Sequence, residues 1–234
     1  VLKDHLASVE NLIKTIKTLP NNPTDILFFC YTGHGSKDPK NSPWPIIYPP
    51  ARCPVEGISG HAILQFFEKT QHRLKIILFQ ACNESVVPIH YIGAVDSKQP
   101  VLDVRMQLPG LKELFLHYTG IISATSSAPG EFSYKQTSGY YNGAFFLTGF
   151  VDSMIDCCLG KTPTWNEVLN QTAKYTTTRV QLECKRDQHP YWQINIKRGN
   201  APQQEIQNEK VEPEKTTPSR KQHHHKKHHK KTHN

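Results

Sequence analysis

Apolar residues fall along the chain in two kinds of pattern. Apolar runs over 26–31 and 76–79, and the stretch GIISAT over 120–125, predict strands buried on both faces of a parallel sheet. Stretches with helical spacing lie between them. Leu6, Val9, Leu12, Ile13 and Ile16 predict a first helix over 2–19, closed by Pro20 and the Asn-Asn-Pro that follows. Ser59 is placed to cap a helix over 60–70 whose apolar face carries Ile63, Leu64 and Phe67. Further helices are predicted over 108–118, over 142–159 with Gly160 as the stop, and over 164–180. Residues 191–197, YWQINIK, alternate apolar and polar, as the last strand at a sheet edge would. Strands alternate with helices, so the fold class is α/β. Residues 37–58, 86–107 and 126–141 show no clean period and read as long loops, which in a compact domain are more often functional than idle.

Two of the buried runs end in chemically able residues. The run 76–79 leads into Gln80-Ala81-Cys82, and the run 26–31 leads into Thr32-Gly33-His34-Gly35. Open α/β sheets hold their ligands just past the carboxyl ends of their strands. Taken alone, Cys82 reads as a buried core cysteine, and a histidine between two glycines as a turn residue. Taken together, they form a thiol nucleophile and an imidazole able to carry its proton. Gly35 leaves its backbone N–H open to approach, as an oxyanion donor requires.

Composition sets the remaining bounds. The 234 residues suffice for one domain with a full core and a tail. No run of 18 apolar residues exists, so no membrane span is expected. Six cysteines, at 30, 53, 82, 157, 158 and 184, show neither C-x-x-C pairing nor zinc spacing; no metal or other cofactor is expected, and a reducing, cytoplasmic compartment is. The sequons at Asn83 and Asn170 read as chance matches in that setting. From Ala201 onward the chain carries eight Lys or Arg against four Glu, so half of the net charge of +8 sits there. The modest excess on the remainder does not predict specific nucleic-acid binding. Residues 200–234 are polar, end in a Lys/His-rich run, and predict a disordered tail after a domain over 1–199. A start at Val1 predicts a fragment or processed product, with the N-terminal part of the domain missing.

Four motifs resemble the caspase family of cysteine peptidases and its wider clan of metacaspases and paracaspases. The first is Tyr31-Thr32-Gly33-His34-Gly35. The second is Gln80-Ala81-Cys82, with its histidine 48 residues upstream, where caspases place theirs about 50 upstream. The third, SSAPGEFSYK over 126–135, is similar to the caspase substrate-binding loop, S-T-x-P-G-x-x-S-W-R. The fourth is the helix start Gly143-Ala144-Phe145-Phe146. The resemblance implies a caspase-like three-layer fold, a mainly parallel central sheet with helices on both faces. It also implies Cys82 as nucleophile, His34 as general acid/base, the N–H groups of Gly35 and Cys82 as oxyanion hole, and Gln80, Ser133, Tyr134 and Lys135 as substrate-binding residues. Residues 80 and 82 fall on the same side of an extended chain, so a pocket residue and the nucleophile are neighbours on geometry alone.

The sequence departs from caspases at two places. Asn83-Glu84 follows the cysteine where caspases have Arg-Gly or a near variant, and Tyr134-Lys135 stands for Trp-Arg. Lysine keeps the charge but loses the bidentate fork that grips a carboxylate. The reading is a caspase-type endopeptidase acting on protein or peptide substrates, cutting after Asp. Two others stand beside it: an inactive homologue acting as an adaptor, and a metacaspase-like enzyme cutting after Lys or Arg. Asp96 and Asp103, in the loop after the cysteine strand, are expected autoprocessing positions, and the strand 191–197 an expected homodimer contact.

Overall fold

A computed structural model describes residues 8–49, 57–85, 109–136, 143–159 and 162–199. Its centre is a four-stranded sheet in the order β1 (Ile26–Thr32), β5 (Leu74–Gln80), β6 (Tyr118–Thr125) and β7 (Tyr191–Arg198). The first three run parallel, and β7 returns antiparallel along β6. Apolar runs placed β1, β5 and β6 correctly, and the alternating run placed β7.

Strand β5 shows why the run had to be continuous. Ile77 and Phe79 enter one core with Leu27 and Tyr31 of β1, Val9 and Ile16 of α1 (Val9–Thr18), and Ile63, Leu64 and Phe67 of α2 (Gly60–Glu68). Leu74, Ile76 and Leu78 point the other way. They meet Ile122 and Ala124 of β6, Leu114 of α3 (Pro109–Leu116), Phe146 and Phe150 of α4 (Phe145–Cys158), and Trp165, Val168 and Leu169 of α5 (Trp165–Cys184). The sheet is therefore the middle of three layers, with two helices on one face and three on the other. Full burial of each such side chain contributes about 1.5–3 kcal/mol, so β5 is the strand whose truncation costs most.

Local signals fix the helix ends. The Ser8 and Ser59 side chains accept from Asn11 N and His61 N at the starts of α1 and α2. Thr164 and Glu167 form a reciprocal capping box at α5. That helix runs to Cys184, four residues past its predicted end, and stops where Lys185 turns left-handed, φ 54°. At the far end of the sheet, the Arg73 guanidinium donates to the carbonyls of Phe115, Leu116 and Tyr118 and so caps α3.

One stretch expected as loop folds into strands. Residues 37–58 contribute β3 (Ile46–Tyr48) and the start of β4 (Ile58–Ser59); β3 pairs antiparallel with β2 (His34–Ser36) on one side and with β4 on the other. Strands of two and three residues are too short to carry a period. The buried Asp38 ties this small sheet to α2, accepting from Lys40 N and from the Ser59 hydroxyl, each at 2.8 Å.

Candidate active site

The parallel pairing of β1 with β5 places Thr32 opposite Gln80, so both strands release their chains at one edge. The Gly33 N–H extends the pairing, donating to the Gln80 carbonyl at 3.1 Å. Past it, β2 crosses directly over the cysteine. A methyl group on Gly35 would lie 2.6 Å from the Cys82 carbonyl oxygen and 2.7 Å from Ala81 Cβ, so the two turns pack backbone to backbone. Glycine is required here for close approach. Tyr31 braces the half-buried histidine. Its hydroxyl lies 2.8 Å from the His34 carbonyl oxygen and 2.9 Å from that of Tyr48, sharing one proton between them. The turn that carries His34 and Gly35 thus packs against the turn that carries Cys82, although 48 residues separate His34 from Cys82 in sequence.

The third motif closes the other side. Ser126 continues β6 and brackets Ala81, its hydroxyl accepting from Ala81 N and donating to Ala81 O, both at 3.1 Å. Ser127 donates to the same carbonyl at 3.0 Å. Farther along, the Ser133 N–H points at Cys82 Sγ at 3.4 Å, the thiol lies 3.8 Å from the Ser133 carbonyl, and the Ser133 hydroxyl meets the Gln80 amide. Half-buried Tyr134 and exposed Lys135 follow. Their strand turns back on the fourth motif: Lys135 bridges Ala144, and Gln136 N donates to the Gly143 carbonyl at 2.8 Å.

Burial pushes the Cys82 thiol upward. The backbone amides of Ser133 and of Cys82 itself pull it down, and the Glu84 carboxylate pushes it up again. Burial prevails, and it favours the neutral thiol.

Structure accounts for one departure in the sequence. Asn83 is fully buried. Its Nδ2 donates to the carbonyls of Pro43, at 2.9 Å, and Ser127, at 3.3 Å. Its backbone N–H donates to Glu131 O, and its carbonyl accepts from Gly130 N. One carboxamide therefore joins the cysteine arm to both flanking loops. Burial also excludes a glycan at that sequon. A second buried carboxamide, Gln188, meets the loop over 126–136 from the connection between α5 and β7. Nothing in the local sequence marks it, because its partners lie more than 50 residues away. Asp96 and Asp103 lie outside the described residues, as does the tail from 200 onward. Strand β7 pairs only with β6 among the described residues.

Among solved structures, the chain is similar to the crystal structure of caspase-1 from Spodoptera frugiperda, with a TM-score of 0.50 and 13% sequence identity. The match covers 80% of this chain and 67% of that one. At such identity the likeness speaks for the fold. No curated protein matches. The family model of the caspase domain matches residues 3–201. With the sheet order, the histidine and cysteine turns and the loop that flanks them all in place, the chain belongs to the caspase-domain family of cysteine peptidases.

Proposed function

We propose that the chain is an active cysteine endopeptidase in which Cys82 is the nucleophile and His34 the general acid/base. The observation that carries this is the contact of Gly35 with the Cys82 carbonyl, which puts the histidine turn against the cysteine turn. His34 takes the Cys82 proton, and the thiolate attacks the scissile carbonyl carbon. Charge developing on the carbonyl oxygen is met by the N–H groups of Gly35 and Cys82. As the C–N bond breaks, His34 returns the proton to the leaving amine. Water, deprotonated by His34, then cleaves the thioester and frees the acid product.

The first substrate pocket is read as accepting aspartate. Gln80 is buried, and one end of its amide engages Ser133 while its Oε1 has no partner among the described residues. The Ser133 hydroxyl can donate as well as accept, so the amide can turn over and offer an N–H to a carboxylate. Exposed Lys135 adds a positive charge on the same loop. Neither favours a cationic side chain. Substrates are proteins or peptides, the setting is cytoplasmic, and β7 is the edge through which two copies pair.

Fluorogenic peptides differing only in Asp, Asn or Lys before the scissile bond test this reading. Turnover is expected to be fastest after Asp and to vanish in both Cys82→Ala and His34→Ala, with little further loss in the double variant, because the two act as a unit. Undiminished turnover in Cys82→Ala would overturn it. Absence of any turnover or electrophile labelling in the folded wild type would point to the inactive homologue, and faster cleavage after Lys to the metacaspase-like one.

A further inference from the structure

Gln188 is a polar side chain with no exposed surface, in the short connection that follows α5. The left-handed Lys185 turns the chain off the helix, and the Gln188 carbonyl accepts from Thr177 Oγ1 of α5 at 2.9 Å. Its carboxamide spans the substrate loop. Oε1 accepts from the Tyr134 N–H at 2.7 Å, and Nε2 donates to the Ser126 carbonyl at 2.9 Å. An amide N–H can only donate and a carbonyl can only accept, so the orientation of this carboxamide is fixed. The next residue holds the middle of the loop. His189 N donates to Glu131 Oε2 at 2.7 Å, and its ring Nδ1 lies 2.6 Å from Oε1.

Ser126 brackets Ala81, and Ser133, adjacent to Tyr134, meets both Cys82 and Gln80. A single side chain from the connection after α5 thus ties together the two arms of the loop that faces the nucleophile. We infer that Gln188 is a positioning residue for peptide binding: it fixes Ser133 and Tyr134 relative to Cys82, and acts through the placement of the loop. The inference rests on the peptidase reading above.

The role needs one donor and one acceptor at glutamine's reach. Leucine supplies neither and leaves a buried N–H and a buried carbonyl unpaired. Glutamate keeps the acceptor and loses the donor. A loop displaced by about 1 Å is enough to spoil peptide placement.

The test compares Gln188→Leu and Gln188→Glu with Thr172→Val, a control at a buried α5 threonine whose hydroxyl bonds only its own helix. Steady-state kinetics on a fluorogenic peptide, alkylation of Cys82 by iodoacetamide across a pH series, thermal melting, and hydrogen exchange over 126–136 are measured on each. Gln188→Leu is expected to raise KM about tenfold or more, to move the pH midpoint of Cys82 alkylation upward as the Ser133 N–H withdraws from the sulfur, and to speed exchange at Tyr134. Gln188→Glu should fall between it and the wild type, and it carries the test alone if the leucine variant does not fold. The control should lower the melting temperature without changing KM. An unchanged KM, or a change matched by the control at equal loss of melting temperature, overturns the inference. If the wild type shows no turnover, the peptidase reading fails by itself. Exchange over 126–136 then decides the clamp, and unaltered protection in both Gln188 variants overturns it.

Discussion

At Cys82 opposing influences act on one sulfur. Desolvation disfavours the thiolate most, two backbone amides favour it, and the Glu84 carboxylate disfavours it again. The alkylation rate of Cys82 should therefore rise with pH through a midpoint above that of an ordinary cysteine. Glu84→Gln removes a negative charge that opposes ionisation, so the midpoint should move to lower pH and alkylation at neutral pH should quicken. The Lys37 N–H bonds the Glu84 backbone carbonyl, so this substitution leaves that tie intact. A midpoint that stays put or rises would show that the carboxylate does not act on the thiol. The same raised value has a consequence for stability. The neutral thiol favours the fold below the unfolded cysteine's pKa, and that contribution fades as pH climbs through the folded value.

Among elements, β2 has the least freedom. It is three residues long, its central glycine abuts the cysteine arm, and Tyr31 and Asp38 anchor its two sides. Gly35→Ala would drive a methyl group against the Cys82 carbonyl, Ala81 Cβ and the Ile46 carbonyl at once. Two of these three neighbours are backbone and cannot swing aside. We expect a loss of about 1–3 kcal/mol in denaturant unfolding, as for other overpacked sites. Turnover should fall by more than that loss of folded protein explains, because the histidine turn moves with the glycine. A stable variant with normal kcat/KM would mean that this contact does not align the two turns. The long helices are more forgiving: the Thr164 capping box and the apolar face of α5 act within one element or against a broad core.

On the scale of the whole molecule, the segment between β5 and α3 is a candidate for processing. It carries Gly93-Ala94-Val95-Asp96-Ser97 and, farther on, Leu102-Asp103-Val104. If the pocket takes aspartate, the enzyme should cut its own chain after Asp96, where a small residue follows, in preference to Asp103. Intact mass spectrometry of the incubated wild type beside Cys82→Ala is the measurement. New termini at Ser97 in the active form alone are expected, and new termini after Lys98 or Arg105 would reject acidic specificity. Removal of 201–234 should leave peptide turnover unchanged, since that stretch has almost no apolar residues with which to join a core.

What the sequence determined alone was whatever depends on neighbours along the chain. Ile76 to Phe79 had to be a strand buried on both faces, because no solvated face tolerates four successive apolar residues. Parallel strands release their carboxyl ends on one side, so His34 and Cys82 were bound for one edge once both runs were read as parallel strands. The Ser59 cap followed from a side chain that satisfies an N–H group two residues on. Tertiary structure decided whatever depends on backbone partners far away in sequence. The pairing of β2, β3 and β4 has too few residues to leave a pattern. Asn83 and Gln188 look like solvent-facing amides, and both are buried where backbone groups 40 to 62 residues away meet the Asn83 Nδ2 and both ends of the Gln188 carboxamide. Hydrogen bonds to backbone from distant segments offset the cost of burying such a carboxamide. Those bonds exist only after the chain has closed around the cysteine.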